Sequence, residues 1–289
     1  MVIGLLFVFI WSSAFTSGKF IVADAPPITA LAIRFYISGL LAIGLAVLLG
    51  QRLRLTHQHV LAIVLFGICQ NALYLGLNFV AFETVDASIA VVIASLLPIT
   101  VAIASWLAFR ERLAPLAVAG LVIGLIGAGI VLADRLGKGA DAFGISMCIL
   151  GVLALTVATL VVRTLAASGA VMWMVGLQML VGAAALTPFA LALESWEVTF
   201  STPMLIAFGY TILFPGIVAT WLWFVLLGDI GATKAAAFHF LNPFFGVVVA
   251  WIFLGEQITR ADLIGVAFIM VAILAVQLSK VREAEAAPR

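Results

Sequence analysis

The chain has 289 residues, 65% of them hydrophobic and only 9% charged, with a mean hydropathy of +1.31 and a formal net charge of +1. Soluble domains carry about 25% charged residues, so this composition excludes a water-soluble globule whose surface must be covered by polar groups. The balanced charge excludes an electrostatic nucleic-acid binder, and the two cysteines, Cys69 and Cys148, are too few for a disulfide framework and lack metal-ligand spacing.

The predicted elements are all helical. Continuous apolar stretches of about 20 residues recur over roughly 2–22, 30–49, 60–80, 87–108, 115–133, 142–162, 171–191, 204–226, 232–253 and 262–279, which predicts an all-α membrane protein with ten transmembrane helices. A closed barrel would need alternating segments of about ten residues instead. The first stretch has no basic leader and no small-residue cleavage site, so it reads as a retained spanning helix and not as a signal peptide. With the N-terminus inside, Arg52, Arg54, Arg110, Arg112, Arg163, Lys234, Lys280, Arg282 and Arg289 fall on the inner side. Only Arg135, Lys138 and Arg260 fall outside. That bias puts both termini in the cytoplasm.

Polar groups inside a span are costly unless they meet a cavity or a partner helix. In the first helix Trp11 and Phe15 are four apart and share a face, with Ser12 beside them; Lys19 lies near the outer end, within snorkelling reach of the interface. Arg34 sits early in the second helix. In the third, Asn71, Tyr74 and Asn78 follow i, i+3, i+7 spacing, a stripe that lines a cavity or bonds a neighbouring helix. The fourth helix carries Ser95 just before Pro98, and the fifth has Gly120, Gly124, Gly127 and Gly129 as close-packing positions. In the ninth, His239 and Asn242 precede Pro243, whose ring displaces the His239 carbonyl. Those groups either face a polar cavity or sit on a helix that is merely kinked.

A shift of 145 residues superimposes Ala87 on Ala232, Ala90 on Ala235, Leu96 on Leu241, Pro98 on Pro243, Trp106 on Trp251, Glu111 on Glu256 and Gly120 on Gly265. Five predicted helices separate the copies. Five is odd, so the halves, 1–136 and 137–289, are expected to cross the membrane in opposite senses, as alternating-access transporters do.

The sequence resembles the drug/metabolite transporter superfamily with tandem EamA-type repeats. The likeness is carried by Trp11-Ser12-Ser13-Ala14-Phe15, by Arg34-Phe35, and by Leu97-Pro98 leading to Arg110-Glu111. Asn242-Pro243 and Gly255-Glu256 carry it in the second half. Within that family it is most similar to bacterial aromatic amino acid exporters, which implies a multi-pass protein of the inner membrane. Four-helix relatives that expel cations use a glutamate in their first helix, and this chain has none there.

All 13 acidic residues fall at or beyond predicted helix ends, so no mid-membrane carboxylate relay is expected. There is no G-x-x-x-x-G-K-[ST], H-E-x-x-H or G-x-S-x-G motif. The sequence thus predicts an exporter without catalytic residues, metal or cofactor. Its partners are a small-molecule substrate such as an amino acid, and membrane lipid; it binds no nucleic acid and acts as a monomer. The expected substrate-binding set is Trp11, Ser12, Asn71, Tyr74, Asn78, Ser95, His239 and Asn242. A multidrug or other metabolite carrier, or an intramembrane enzyme, are the alternatives.

Overall fold

The computed structural model of the chain describes residues 2–53, 55–109, 114–137, 140–166, 170–223, 225–226 and 238–286. Among the sequence expectations, Arg54, Arg110, Glu111, Arg112, Lys138, Ala232, Lys234, Ala235 and Arg289 lie outside the described residues. So do the side chains of Arg163, His239, Lys280 and Arg282.

The described residues form helices and no strand. The first is α1 (Val2–Val22), followed by α2 (Pro27–Leu48), α3 (His57–Ala81) and α4, made of Ala87–Ala94 and Leu97–Phe109. Then come α5 (Pro115–Gly137), α6 (Ala142–Ala166), α7 (Val171–Leu193) and α8 (Thr202–Trp223). A 3₁₀ turn over Phe238–Leu241 leads into α9 (Asn242–Leu254), and α10 (Arg260–Ala286) ends the described chain. Eight helices, α1 to α8, are long and apolar enough to cross a membrane; α9 is a shorter apolar helix. Large apolar side chains cover the outside of the bundle, Leu48, Leu107, Val122 and Ile206 among them, as a hydrocarbon solvent requires.

Proline explains two departures from regular winding. Pro98 has no N–H and its ring collides with the carbonyl of residue 94, so α4 stops at Ala94 and restarts at Leu97 instead of running on through 87–108. Pro215 lies in a π-helical stretch of α8, Ile212–Val218, where wider i→i+5 winding absorbs the same collision. A second π-helical stretch, Gly67–Leu75, interrupts α3 without a proline. The two stretches start 145 residues apart.

The helices pack in related pairs: α2 along α7, α5 along α10, α1 on α8 and α9, and α6 on α3 and α4. Glycine permits the closest approach. A Cβ at Gly265 of α10 would lie 2.3 Å from Val131 Cγ2 and 2.7 Å from the Gly127 carbonyl of α5. Trp106 and Trp251, aligned by the sequence repeat, are 50% and 55% exposed on the apolar exterior.

One end of the bundle, which carries Asp24, is laced by polar contacts between the two halves. Glu194 accepts from the Ile28 and Thr29 amides and the Thr29 hydroxyl, all at 2.7 Å, capping the N-terminus of α2. Glu256 does the same for α4, accepting from Ala87 N at 2.7 Å and Ser88 N at 3.0 Å. Buried Arg135 bonds Asp262 at 2.6 Å, Asp86 at 3.1 Å and the Gln257 carbonyl at 3.2 Å. Ser201 donates to the Asp24 carboxylate, and Thr199 N to the Asp24 carbonyl at 2.8 Å. Asp141, in the turn before α6, accepts from Thr84 at 2.6 Å and from the Gly144 and Phe143 amides, which together hold its carboxyl below the usual range. Lys19, part-buried at the same end, donates to the Phe82 and Val85 carbonyls of the turn after α3, capping the C-terminal end of that helix. At the opposite end Gln51 accepts from Met172 N at 3.1 Å, and the Gln51 carbonyl accepts from Trp173 Nε1 at 3.0 Å.

Candidate functional site

The first part of the broken helix α4 packs on α9, and a pocket lies against the break and the first residue of α9. Trp11 and Phe15 of α1, one turn apart, supply aromatic surface, and Tyr74 of α3 adds a third ring. Val91, Ala94, Ser95, Leu97 and Pro98 come from both sides of the break in α4. Leu155 of α6 and Asn242 at the start of α9 complete the lining. The enclosed void is about 20 Å³, room for roughly one water molecule, so the site must expand to admit a solute. Among the described residues no charged side chain lines it.

The break in α4 exists because Pro98 prevents regular bonding; just before it the Val91 carbonyl accepts from both the Ser95 amide at 2.9 Å and the Ser95 hydroxyl at 2.6 Å. Asn242 is held from α1: Ser12 Oγ lies 3.3 Å from its backbone carbonyl and 3.5 Å from Oδ1. Neighbouring hydroxyls of α1 turn to α8, where Ser13 meets the Tyr210 hydroxyl and Thr211 donates to Ser17 at 3.1 Å. Hydroxyls on two sides of α1 thus orient it against both α8 and α9.

Of the residues expected from sequence, the structure brings together Trp11, Tyr74, Ser95 and Asn242 in the lining, with Ser12 behind Asn242. Asn71 and Asn78 are not part of the lining. Asn71 Nδ2 bonds the Gln178 carbonyl at 2.9 Å and the Gln178 side chain, both on α7. Asn78 Nδ2 bonds the Tyr74 carbonyl at 2.8 Å and so braces the pocket from behind. The π-helical winding of Gly67–Leu75 turns Asn71 away from Tyr74 toward α7, while Asn78, in the α-helical turn beyond it, stays beside Tyr74 against Gly151 of α6. His239 belongs to the 3₁₀ turn by its backbone, and its side chain lies outside the described ones. Sequence reasoning passed over Leu155, Val91 and Ala94, which carry no chemical signal. It also passed over Gln178, a polar side chain inside a span that had one.

A membrane-embedded bundle in which the interrupted helix α4 and the start of α9 border a pocket with no charged side chain among the described residues suits a solute carrier. The EamA-like transporter family model matches residues 1–133 and again 142–278, and the chain belongs to that family. It is 26% identical over 285 residues to the uncharacterized transporter YvbV of Bacillus subtilis, covering 96% of this chain and 92% of that one. It is 25% identical, also over 285 residues, to an S-adenosylmethionine/S-adenosylhomocysteine transporter of Chlamydia trachomatis, with 93% and 87% covered. A solved structure described only as the crystal structure of a protein superposes with a TM-score of 0.70 at 20% identity over 98% of both chains, a likeness of fold. Membrane transport is therefore the activity its relatives support.

Proposed function

We propose that the chain exports small amphipathic solutes, above all aromatic and other neutral amino acids, across a bacterial inner membrane by alternating access. The observation that carries this reading is the lining itself. Trp11, Phe15 and Tyr74 offer flat apolar surface, Ser95 and Asn242 offer hydrogen bonds, and among the described residues no acid or base lines the pocket to select an ion. Such a lining suits an apolar side chain and suits phosphorylated sugars poorly, since nothing there pairs a phosphate.

In this reading α9, with the residues before it, and α10 complete ten spans in two inverted five-helix repeats, 1–136 and 137–289, with both termini cytoplasmic. Several features support the inversion. The two π-helical stretches share the 145-residue offset of the sequence repeat, as do the break in α4 and the 3₁₀ entry to α9. Glu194 over Ile28 N at one end also has a counterpart, Gln51 over Met172 N, at the other. An even number of helices between copies would put both contacts at the same end.

Transport is uniport in this reading, by a monomer without cofactor. Its acids fall at or beyond the ends of the predicted spans, and His239 is the one histidine in a predicted span. A second reading is favoured by the chlamydial relatives: a solute that joins an amino acid to a purine, whose ring would stack on the same aromatic surface. Proteoliposomes holding only this chain, loaded with labelled Phe, Trp, Tyr, Met, Thr or S-adenosylmethionine, separate the readings. Efflux of the aromatic acids to equilibrium, with no change of internal pH, is expected. Flux of another solute class alone removes the substrate reading. Accumulation driven by an imposed pH step, lost in His239→Ala, replaces uniport with proton exchange.

A further inference from the structure

Two arginines in the described helices are buried, and they are treated in opposite ways. Arg135 is held by two carboxylates and a backbone carbonyl. Arg34, two turns into α2 and only 4% exposed, forms no ion pair or hydrogen bond among the described residues, and its Nε is buried without a partner. Its recorded contact is with the ring of the adjacent Phe35, 5.2 Å from the guanidinium carbon. A buried cation without a counter-charge is costly in a membrane, and its burial keeps it from snorkelling to the headgroups.

The position of Arg34 points to what compensates it. Ser38, one turn further along α2 and on the same face, lies 3.4 Å from the Ile212 carbonyl of α8, which fixes that face toward the bundle interior. Phe35, which carries the Arg34 cation over its ring, belongs to the same buried cluster as Phe15, Tyr74 and Leu155 of the pocket lining. Thr16 of α1, at a similar depth of about 10 Å below the Asp24 end, also keeps a buried hydroxyl without a partner. A cation on α2 and a hydroxyl on α1, beside Phe15 of the lining, are thus both buried without partners among the described residues.

We infer that Arg34 is an anion subsite that takes the carboxylate of the transported solute on the Asp24 side of the pocket. The inference rests on the amino-acid reading above and adds to it a requirement for the carboxylate. A guanidinium fork binds a carboxylate through two parallel N–H donors, which an ammonium does not reproduce. The pocket holds the apolar side chain, and the carboxylate is drawn to Arg34 as the Asp24 end opens.

Three probes sharing one ring test it in proteoliposomes of the full chain: phenylalanine, phenethylamine without the carboxylate, and 3-phenylpropionate without the amine. Arg34→Gln is expected to raise the half-saturation concentration about tenfold to a hundredfold for the two carboxylates and to leave phenethylamine within about twofold. Arg34→Lys falls between. An equal loss for all three probes overturns the subsite in favour of a structural role, and an unchanged ratio of phenylalanine to phenethylamine overturns it outright. Should Arg34→Gln fail to fold, thermal stabilisation of the wild type decides: 3-phenylpropionate must stabilise more than phenethylamine, and equal stabilisation overturns the inference. Failure of the amino-acid reading looks different. The wild type then moves no phenylalanine, yet 3-phenylpropionate still stabilises the wild type and not Arg34→Gln.

Discussion

The Glu256 contact with α4 carries a measurable expectation. Its carboxylate accepts from Ala87 N and Ser88 N, at 2.7 and 3.0 Å, and so joins the α9–α10 turn to the helix whose break borders the pocket. Hydrogen bonds to a charged group contribute about 1.5–3 kcal/mol each, and neutral ones about half that. Glu256→Gln leaves one acceptor oxygen for two donors and removes the charge from a helix N-terminus. At this half-buried position the loss is about 1–3 kcal/mol. If the contact exists only while the Asp24 end is closed, that loss raises the population open at that end about fivefold to a hundredfold. A single cysteine at Ser95, with Cys69 and Cys148 replaced by Ala, reads this out through its reaction with a membrane-impermeant maleimide added on the Asp24 side. The labelling rate is expected to rise by the same factor in Glu256→Gln. A lower melting temperature with an unchanged labelling rate would refute the reasoning, because the carboxylate would then only cap α4.

Two further outcomes follow from packing and charge. Gly265→Val sets a side chain against Val131 and the Gly127 carbonyl, so overpacking of α5 on α10 is expected to cost about 1–3 kcal/mol, seen as a lower melting temperature with an unchanged half-saturation for substrate. The Asp141 carboxyl, depressed chiefly by the Thr84 hydroxyl, stabilises above its unfolded pKa and loses that contribution as pH falls through the lower folded value. The melting temperatures of wild type and Asp141→Asn should therefore differ by a constant amount from roughly pH 5 to 8 and converge below roughly pH 4; a gap that widens toward alkaline pH contradicts the assignment.

Hydropathy located α1 to α8 because lipid-facing and core-facing residues are equally apolar, so a span is legible whichever way its side chains point. It could not locate the interruption in α4, since a window average is blind to the backbone bond that Pro98 removes. In the site, Trp11, Tyr74, Ser95 and Asn242 were legible as aromatic or polar groups within spans. Leu155 and Val91 were not, because an apolar residue in a membrane chain is the background. The stripe of Asn71, Tyr74 and Asn78 assumed α-helical winding, and nothing in Gly67–Leu75 announces the π-helical winding that turns Asn71 away from the other two. The partners of Lys19 were not legible because its acceptors, carbonyls some 60 residues away, come beside it only in the folded chain.

The π-helical stretches of α3 and α8 hold slack. A segment bonded i→i+5 stores more chain per unit length than one bonded i→i+4, and each stretch adjoins residues that touch the pocket or α1, Tyr74 in one case and Tyr210 in the other. Releasing that slack lengthens the helix and twists everything beyond it about its own axis, as a screw advances while it turns. In α3 the twist would return Asn71 to the side of Tyr74 and Asn78 and break its bonds to Gln178. The amide that now fastens α3 to α7 would then become a ligand-facing group, so one sequence can present two different linings without any helix having to swing.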